Sequence, residues 1–367
     1  MLKFSCEKDA LAEGIAAAGR AVSPKSTYPA LEGLLLSASE DGLRMTGYNL
    51  EIGITHICEA DVYVPGASIV NARYFSDIVR KLPNDRILVE IDDDNGIAIR
   101  CGFAKFDLLA MPAEEFPELP VVESSQSLSI SAGVLKSMIS EAVYAVSTSE
   151  HKPVLTGALF DVLDGALRVV ATDGNRLALR EEKVDHGQNP FRFIVPAATL
   201  REVERLTKDE DKTITLQLSR KHITMEFGQT RLISRLLEGD FYKYENALTV
   251  QPANELLISV DDFTESLERV SLLINEKMKN AVRCYFEHNM IKLTYVSTIG
   301  RAYDECRAEG SVQAMEIGLS NRYLLDALHS IRDEKAIIAF NAPHAPFIIR
   351  PVEDTKFFHM IAPVRLS

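Results

Sequence analysis

The chain has 367 residues and a formal net charge of −13, with 46 % hydrophobic and 25 % charged side chains. That length exceeds one ordinary hydrophobic core and predicts two or three domains of a globular protein. The acidic balance argues against a protein coated with nucleic acid, and the absence of an apolar run near ~20 residues or of a signal-peptide pattern argues against a membrane-spanning or secreted protein.

The cysteines are few and scattered. They are Cys6, Cys58, Cys101, Cys284 and Cys306. Their odd number and the lack of a C-x-x-C spacing predict reduced thiols, and argue against a disulfide framework or a zinc site. We therefore expect a cytoplasmic protein with no metal and no cofactor.

The predicted elements alternate strands and helices from the N-terminus. Apolar residues recur with the helical period in two segments of the first third, where Asn71 is the expected N-cap of the second helix. The predicted helices are 7–22 and 71–82, and the predicted strands lie at 2–6, within 31–64, and at 87–91, 97–101 and 104–111. A segment rich in Pro, Glu and Ser, 113–127, is predicted to be an extended linker.

The stretch 157–180, GALFDVLDGALRVVATDGNRLALR, is the centre of the sequence pattern. It predicts three strands joined by Asp-Gly turns at 164–165 and 173–174, because glycine accepts a positive φ without steric cost. The same pattern occurs at 33–55 and, in a more degenerate copy, at 281–305.

The rest of the chain repeats the order of elements seen in the first third. Helices are predicted at 134–146, from Pro196 to 208, at 263–274 and at 320–331. Further strands are predicted at 128–131, 213–218, 222–227, 230–236, 256–260 and 357–366, and a second linker at 238–252.

Three copies of roughly 120 residues can each bury a core, so they predict domains and not solenoid units. We expect domains at 1–118, 128–246 and 254–367, each with two helices on antiparallel sheets, the α+β class. Such domains leave free edge strands. A head-to-tail contact that closes a ring would cover every edge, which predicts a ring without fixing the number of chains.

The second helix of each repeat has a weakly basic polar face. An ordinary solvated face is the simpler explanation for any one helix, but the same bias in three copies favours a basic surface. These faces hold few aromatic side chains and no base-reading motif. Any contact with nucleic acid is therefore expected at phosphates, without sequence specificity.

Five motifs together resemble one family. They are ATDGNRLA at 171–178, LLEGDFYKY at 236–244, NEK at 275–277, MEIG at 315–318 and PVRL at 363–366. With the triplication, they make the whole chain closely similar to the bacterial DNA polymerase III beta subunits, the sliding clamp family. The resemblance implies three domains of the DNA-clamp fold and a head-to-tail homodimer that forms a six-domain ring, with helices inside. Such a ring encircles double-stranded DNA, slides without sequence specificity and tethers the replicative polymerase as a non-catalytic processivity factor.

The resemblance also implies a pocket between the second and third domains for short peptides of partner proteins. The partners would be the replicative polymerase catalytic subunit, the clamp loader, and other polymerases and repair proteins. The pocket residues would be Leu155, Thr172, Gly174, Asn175, Arg176, Leu177, Tyr242, Ala247, Tyr323, Ala362, Pro363, Val364, Arg365 and Leu366. Three of them depart from the family pattern: Asn175 replaces a common His, Tyr242 a Pro and Ala362 a Met.

Two further sets of residues follow from the resemblance. At the dimer interface, Phe106 and Leu108 on the first domain's last strand would meet Leu272 and Leu273 near the third domain's first helix. The residues expected to face DNA are Arg20, Lys25, Arg73, Arg80, Lys81, Arg201 and Arg205.

Two other functions remain open from the residues alone. A metal-dependent nuclease could use the acidic side chains, although no G-x-S-x-G, P-loop or H-E-x-x-H motif occurs. The acidic run 92–96 lacks the first and twelfth ligands of a calcium loop, and predicts a polar hairpin tip. A scaffold that binds peptides without forming a ring is the second alternative. Retention on circular but not linear DNA would separate a clamp from both.

Overall fold

The structure is a computed structural model, and it describes residues 1–184, 190–208, 210–274, 281–353 and 357–366. The NEK motif at 275–277 and Ser367 lie outside the described residues. The elements follow the predicted order in all three repeats.

The first repeat carries two helices and ten strands. Its elements are β1 (Leu2–Glu7), α1 (Lys8–Ala18), β2 (Gly33–Ser39), β3 (Gly42–Tyr48), β4 (Ile52–Cys58), β5 (Asp61–Val64), β6 (Gly66–Asn71), α2 (Ala72–Lys81), β7 (Arg86–Ile91), β8 (Gly96–Cys101), β9 (Ala104–Leu109) and β10 (Met111–Pro112). The predicted cap is confirmed, since Asn71 Oδ1 accepts a hydrogen bond of 3.1 Å from the Tyr74 amide. Helix α1 is shorter than predicted, because the chain tightens into a 3-10 turn at Gly19–Ala21, where glycine weakens the helix.

The second repeat contains the central stretch of the sequence. Its elements are β11 (Gln126–Ser131), α3 (Ala132–Ala142), β12 (Gly157–Leu163), β13 (Ala166–Thr172), β14 (Arg176–Lys183), β15 (Phe191–Pro196), α4 (Ala197–Leu206), β16 (Thr213–Leu218), β17 (His222–Phe227) and β18 (Thr230–Arg235). The prediction that the second helix begins at Pro196 is wrong. Pro196 ends β15, where it lies opposite Gly157, and the helix begins at the next residue.

The third repeat has the same order. Its elements are β19 (Asn254–Ser259), α5 (Val260–Ser271), β20 (Val282–Glu287), β21 (Met290–Ser297), β22 (Gly300–Glu309), β23 (Met315–Leu319), α6 (Asn321–Ser330), β24 (Lys335–Phe340), β25 (Phe347–Pro351) and β26 (Phe357–Ile361). The last strand is shorter than predicted, because the Ala362 amide leaves the ladder and donates to the Asn175 carbonyl at 2.8 Å. Among the described residues, no helix is long and apolar enough to cross a membrane.

Contacts divide the chain into two compact units, of which the first holds 1–132 and 202–236. This unit has a five-stranded sheet, β5-β1-β7-β8-β9, and a nine-stranded sheet, β10-β6-β2-β3-β4-β18-β17-β16-β11. The nine-stranded sheet is continuous because β4 pairs antiparallel with β18, with Ile52 opposite Ser234 and His56 opposite Thr230. Strands of the second repeat therefore complete a sheet that begins in the first.

The second unit, 133–201 and 237–367, contains one twelve-stranded sheet. Its order is β15-β12-β13-β14-β26-β25-β24-β19-β22-β21-β20-β23. Here β14 pairs antiparallel with β26, with Arg176 opposite Ile361 and Arg180 opposite Phe357. This pairing of strands from two successive repeats is called a joint below. Both joints use the same positions: the third strand of the central pattern in one repeat and the last strand of the following repeat.

The segment between the second and third repeats is not the extended linker that its composition predicts. It forms a 3-10 helix at Tyr244–Thr249, and the Tyr244 side chain is fully buried. The Tyr244 hydroxyl donates to Asp161, which also accepts from Arg192 Nε at 2.9 Å. Burial and the Asp161 carboxylate raise the pKa of Tyr244 to about 12. The segment is ordered because it closes over a buried, charged hydrogen-bond acceptor.

Candidate peptide-binding site

The turn between β13 and β14 is fixed by its own side chains. Gly174 has a φ of +93°, which a side chain would strain. The Asp173 carboxylate accepts from the amides of Asn175 at 2.9 Å and Arg176 at 3.1 Å. Thr172 Oγ1 accepts from the Gly174 amide and donates to the Arg176 carbonyl. The turn is therefore a rigid platform at the start of β14.

Arg176 is the best-connected side chain of the site, and it is 7 % exposed. Its guanidinium pairs with Asp173 at 3.1 Å and with Asp326 of α6, and donates to the Tyr144 carbonyl at 2.8 Å. The same group lies between two aromatic rings, 4.5 Å from the Tyr323 centroid and 5.2 Å from that of Tyr144. Two carboxylates and two rings hold this buried charge in one orientation.

A buried polar chain extends behind Arg176. His359 Nε2 lies 2.9 Å from Ser330 Oγ, and Nδ1 lies beside the Tyr144 hydroxyl. Because Ser330 donates to the Ala327 carbonyl at 2.6 Å, it accepts from His359, and Nδ1 must then accept from Tyr144. Burial, aided by the charge of Arg176, lowers the pKa of His359 to about 3, which keeps the ring neutral.

The C-terminal tail, residues 362–366, is docked along the third repeat. Beyond the Ala362 bond to Asn175, the Val364 amide donates to the Gly318 carbonyl of β23 at 2.8 Å. A Cβ atom at Gly318 would lie 2.4 Å from the Val364 oxygen and 2.6 Å from a methyl group of Leu366. The glycine of the MEIG motif therefore makes room for the tail. Pro363, Val364 and Leu366 are half-buried, whereas Arg365 is exposed.

Several elements supply the apolar members of the predicted pocket. Leu177 and Ala247 belong to one cluster, which also contains the buried Tyr244. Leu155 is buried in a 3-10 turn at Pro153–Thr156, and its carbonyl accepts from the Ser147 amide at 2.8 Å. Tyr242 is 55 % exposed. The structure thus brings together Thr172, Gly174, Asn175, Arg176, Tyr323 and Ala362, with Leu177 and Ala247 in a neighbouring apolar cluster.

The predicted interface residues lie on two edges. Strand β9 is an edge of the five-stranded sheet, and Phe106 on it is 38 % exposed. Leu108 is half-buried against the first repeat's core. After α5, Leu272 is 81 % exposed, whereas Leu273 packs on the third repeat's core. Phe106 and Leu272 are therefore the exposed members of the set.

The residues predicted to face DNA fall into two groups. Arg80 pairs with Asp77 at 2.7 Å, and Glu202 pairs with both Arg20 and Arg205, at 3.4 and 2.6 Å. The remaining four are exposed, and none forms an ion pair in the described part of the chain: Lys25, Arg73, Lys81 and Arg201. Among the residues that the structure describes, the charges of this second group are therefore the ones without a close carboxylate.

Sequence reasoning missed the residues that hold Arg176. Asp326 follows Tyr323 at helical spacing, so their common face on α6 was a usable signal. Tyr144, Ser330 and His359 carry no such signal, because they meet across distant parts of the chain.

The acidic run is a hairpin tip, as predicted. Asp92 Oδ1 accepts from the amides of Asp94 at 2.9 Å and Gly96 at 2.7 Å, which closes the turn between β7 and β8. Within the described residues, no group of three or more His, Cys, Asp and Glu side chains is placed to hold a metal ion.

Comparison with known proteins gives matches along the whole chain. Three family models match in order: the N-terminal, central and C-terminal domains of the DNA polymerase III beta subunit, at 2–120, 129–243 and 247–365. The beta sliding clamp of Bacillus subtilis is 30 % identical over 376 residues, covering 99 % of this chain and 100 % of that protein. The beta sliding clamp of Staphylococcus epidermidis is 29 % identical over 380 residues, with full coverage of both chains.

Solved structures agree in fold over the full length. The sliding clamp of Bacillus subtilis superposes with a TM-score of 0.95 at 30 % identity, covering 100 % of both chains. A sliding clamp from Pseudomonas aeruginosa, bound to griselimycin, gives a TM-score of 0.95 at 26 % identity and the same coverage.

The fold and these matches define a protein of three repeated clamp domains, each with helices on antiparallel sheets. The chain belongs to the DNA polymerase III beta subunit family, the sliding clamps. Its role is therefore that of a processivity factor, a non-catalytic subunit, which removes the nuclease alternative.

Because the buried His359 is neutral, we expect the free energy of unfolding to depend on pH. In the unfolded chain, histidine has a pKa near ~6.5, whereas in the folded chain it is about 3. Between these values only the unfolded chain binds the proton, so the stabilisation present above pH 6.5 is lost as the pH falls. We expect about 2 kcal/mol of unfolding free energy to be lost through this residue between pH 7 and pH 5.

Urea unfolding of the wild type and His359→Gln checks this expectation. The glutamine amide can still bond Tyr144 and Ser330 but does not titrate. The difference in unfolding free energy between the wild type and the variant should therefore narrow by about 2 kcal/mol from pH 7 to pH 5. Between pH 7 and pH 8 the gap should stay constant, which serves as an internal control. A gap that is equally wide at pH 5 would show that His359 is protonated in the folded protein.

Proposed function

We propose that this chain forms a head-to-tail homodimeric ring that encircles double-stranded DNA and tethers the replicative polymerase through a peptide cleft. We place the ring in the cytoplasm and its three domains at 1–118, 128–246 and 254–367. The observation that supports the ring is the repeated joint: β4 pairs with β18, and β14 pairs with β26. In the third repeat, the strand at the position of β4 and β14 is β22. In the first repeat, the strand at the position of β18 and β26 is β9. These two strands have no such partner within the described chain.

Both remaining strands offer an edge for such a joint. Strand β9 is the last of the five-stranded sheet. Strand β22 pairs with β19 only through its end, at Ala308 and Glu309, so in the described structure the rest of that edge is unpaired. An unpaired strand edge exposes a row of backbone donors and acceptors. Pairing β22 of one chain with β9 of a second would satisfy them by the geometry the molecule already uses twice.

The internal joints also predict the register of this contact. If β22 and β9 pair as the corresponding strands of the two internal joints do, Phe106 would lie opposite Ala302, which packs on the third repeat's core. Asp107 would then lie opposite Arg301. Oppositely charged residues directly across an antiparallel pair stabilise it, and like charges destabilise it.

Charge reversal at these two positions tests the register. Asp107→Arg should weaken the dimer about 5- to 30-fold, because the like-charge pair occurs at both symmetric contacts. Arg301→Asp should act similarly, and the double variant should recover to within about threefold of the wild type. Sedimentation velocity over a dilution series gives the dissociation constants.

Glu118→Arg is the matched control, since it makes the same change of charge outside β9 and should leave the dimer intact. Single variants that dimerise like the wild type would contradict the register, and a wild-type monomer at micromolar concentration would contradict the ring.

Retention on DNA is expected to be topological. The net charge is −13, and only Lys25, Arg73, Lys81 and Arg201 of the DNA-facing set have no carboxylate partner in the described structure. A few phosphate contacts give weak, salt-sensitive binding with a shallow salt dependence. Encirclement would retain the protein without strong contacts.

Clamps loaded on nicked circles should remain bound, and cutting the circle once should release them within the time of sliding off the ends. Gel filtration of labelled protein with the DNA before and after cutting measures this. The variant Arg73→Ala with Lys81→Ala should reduce direct binding to linear duplex and lower the salt slope by about 2, while leaving retention on circles unchanged. Equal lifetimes on circular and linear DNA would favour the non-ring scaffold.

The cleft proposed for partner peptides combines the Arg176 platform, the Leu177 cluster and the docked tail. A few apolar anchors of a short peptide could carry most of the binding energy there. Pro363 restricts the tail backbone, which lowers the entropy cost of ordering it. Removing the tail should disrupt the cleft without affecting dimerisation, because the proposed dimer strands, β9 and β22, lie elsewhere in the chain.

Removal of residues 363–367 should abolish binding of a polymerase-derived peptide and of the clamp loader, while the dimer persists. Gly318→Ala should weaken peptide binding about tenfold or more without shortening the chain, because its methyl group would displace the tail. Calorimetry with the peptide measures both variants, and sedimentation controls for the dimer. Undiminished affinity in the truncated chain would show that the site lies elsewhere.

A further inference from the structure

Two buried thiols meet in the first unit, whereas the residues of the proposed cleft belong to the second unit. Cys6 on β1 and Cys58 on β4 have their Sγ atoms 3.8 Å apart, and the two side chains are 1 % and 6 % exposed. Strand β1 belongs to the five-stranded sheet and β4 to the nine-stranded sheet. The contact therefore bridges the two sheets of the first repeat.

The two thiols are chemically unequal. Either thiol can donate in the contact between the two sulfurs, and a bond donated by Cys58, with the Arg86 guanidinium, lowers the pKa of Cys6 despite its burial. The same contact and burial raise the pKa of Cys58. The Glu59 carbonyl, 3.2 Å from Cys6 Sγ, accepts from it when the thiol is protonated. These opposite pKa directions favour Cys6 as the nucleophile and Cys58 as the thiol that keeps its proton.

A cavity reaches one member of this pair, Cys58. It has a volume of about 1050 Å³, lies within the first unit, and includes Cys58 and Glu59 among its lining residues. Small side chains of α1, Ala10 and Ala17 among them, leave the space open. A small polar oxidant can therefore reach Cys58, whose sulfur contacts that of Cys6, without unfolding of the repeat.

We propose that Cys6 and Cys58 are an oxidation site for small hydroperoxides and form a reversible disulfide between β1 and β4. The Cys6 thiolate attacks the peroxide oxygen, giving a sulfenic acid and hydroxide. The Cys58 thiol then displaces the hydroxyl group from Cys6, which forms the disulfide and releases water. The hydroxide takes up the proton lost by Cys6, so two thiols lose two electrons and hydrogen peroxide becomes two waters.

The geometry requires only local movement. A disulfide has an S–S distance of about 2.05 Å. The two Sγ atoms are now 3.8 Å apart, so they must approach each other by roughly 1.8 Å. Transient, redox-sensing disulfides of this kind are compatible with a reducing compartment. The cross-link would hold β1 to β4 and restrict the unfolded chain, which raises the melting temperature.

Peptide mapping of the full chain after treatment with hydrogen peroxide tests the proposal. The wild type should yield a Cys6–Cys58 peptide pair lacking two hydrogens, and dithiothreitol should reverse it. In Cys58→Ser, dimedone should trap a sulfenic acid on Cys6. The matched controls Cys101→Ser and Cys284→Ser change other buried thiols and should keep the cross-link.

The oxidised wild type should melt at a temperature several degrees higher than the reduced protein, and peptide binding should be unchanged, since the cleft lies in the other unit. Mapping of the wild type alone is decisive if a variant fails to fold. The proposal is overturned if folded, peroxide-treated wild type contains Cys6 and Cys58 as free thiols, or as separately oxidised sulfinic acids.

Discussion

The structure depends on one repeated constraint, the satisfaction of edge strands by the next repeat. A strand edge that carries unpaired amides and carbonyls must be covered or it will pair elsewhere. In the first unit β18 covers β4, and in the second unit β26 covers β14. Each joint is a short antiparallel ladder, yet it turns two small sheets into one continuous sheet. The repeats are thus domains in sequence but not independent in hydrogen bonding.

The same constraint builds the candidate cleft. The β14–β26 ladder sets Leu177 opposite Met360 and Ala178 opposite His359, so residues far apart in sequence become neighbours. It also delivers the chain at Ile361 next to the turn at Asn175, where the Ala362 amide finds its acceptor. The tail can then reach Gly318. A one-residue shift of this ladder would turn His359 away from Tyr144 and Ser330, because strand side chains alternate between faces.

Local signals predicted much of this fold. The Asp-Gly turns, the Asn71 cap and the alternation of strands depend on neighbours in sequence, and they lie where expected. The buried chain Tyr144–His359–Ser330 could not be predicted, because its members meet only after the β14–β26 ladder has formed. The prediction of an extended linker at 238–252 is wrong for a related reason. Its composition is that of an extended segment, but Tyr244 finds a buried carboxylate at Asp161 that no local pattern announces.

Charge distribution links the fold to the proposed mode of action. Glu202 neutralises two of the basic residues expected to face DNA, Arg20 and Arg205, and Asp77 neutralises a third. A protein that held DNA by affinity would leave such cations free for phosphates, since each uncompensated contact adds to binding and to its salt dependence. Internal neutralisation keeps the surface weakly attractive. Weak attraction combined with encirclement permits sliding, because no single phosphate contact must be broken at high cost for the protein to move.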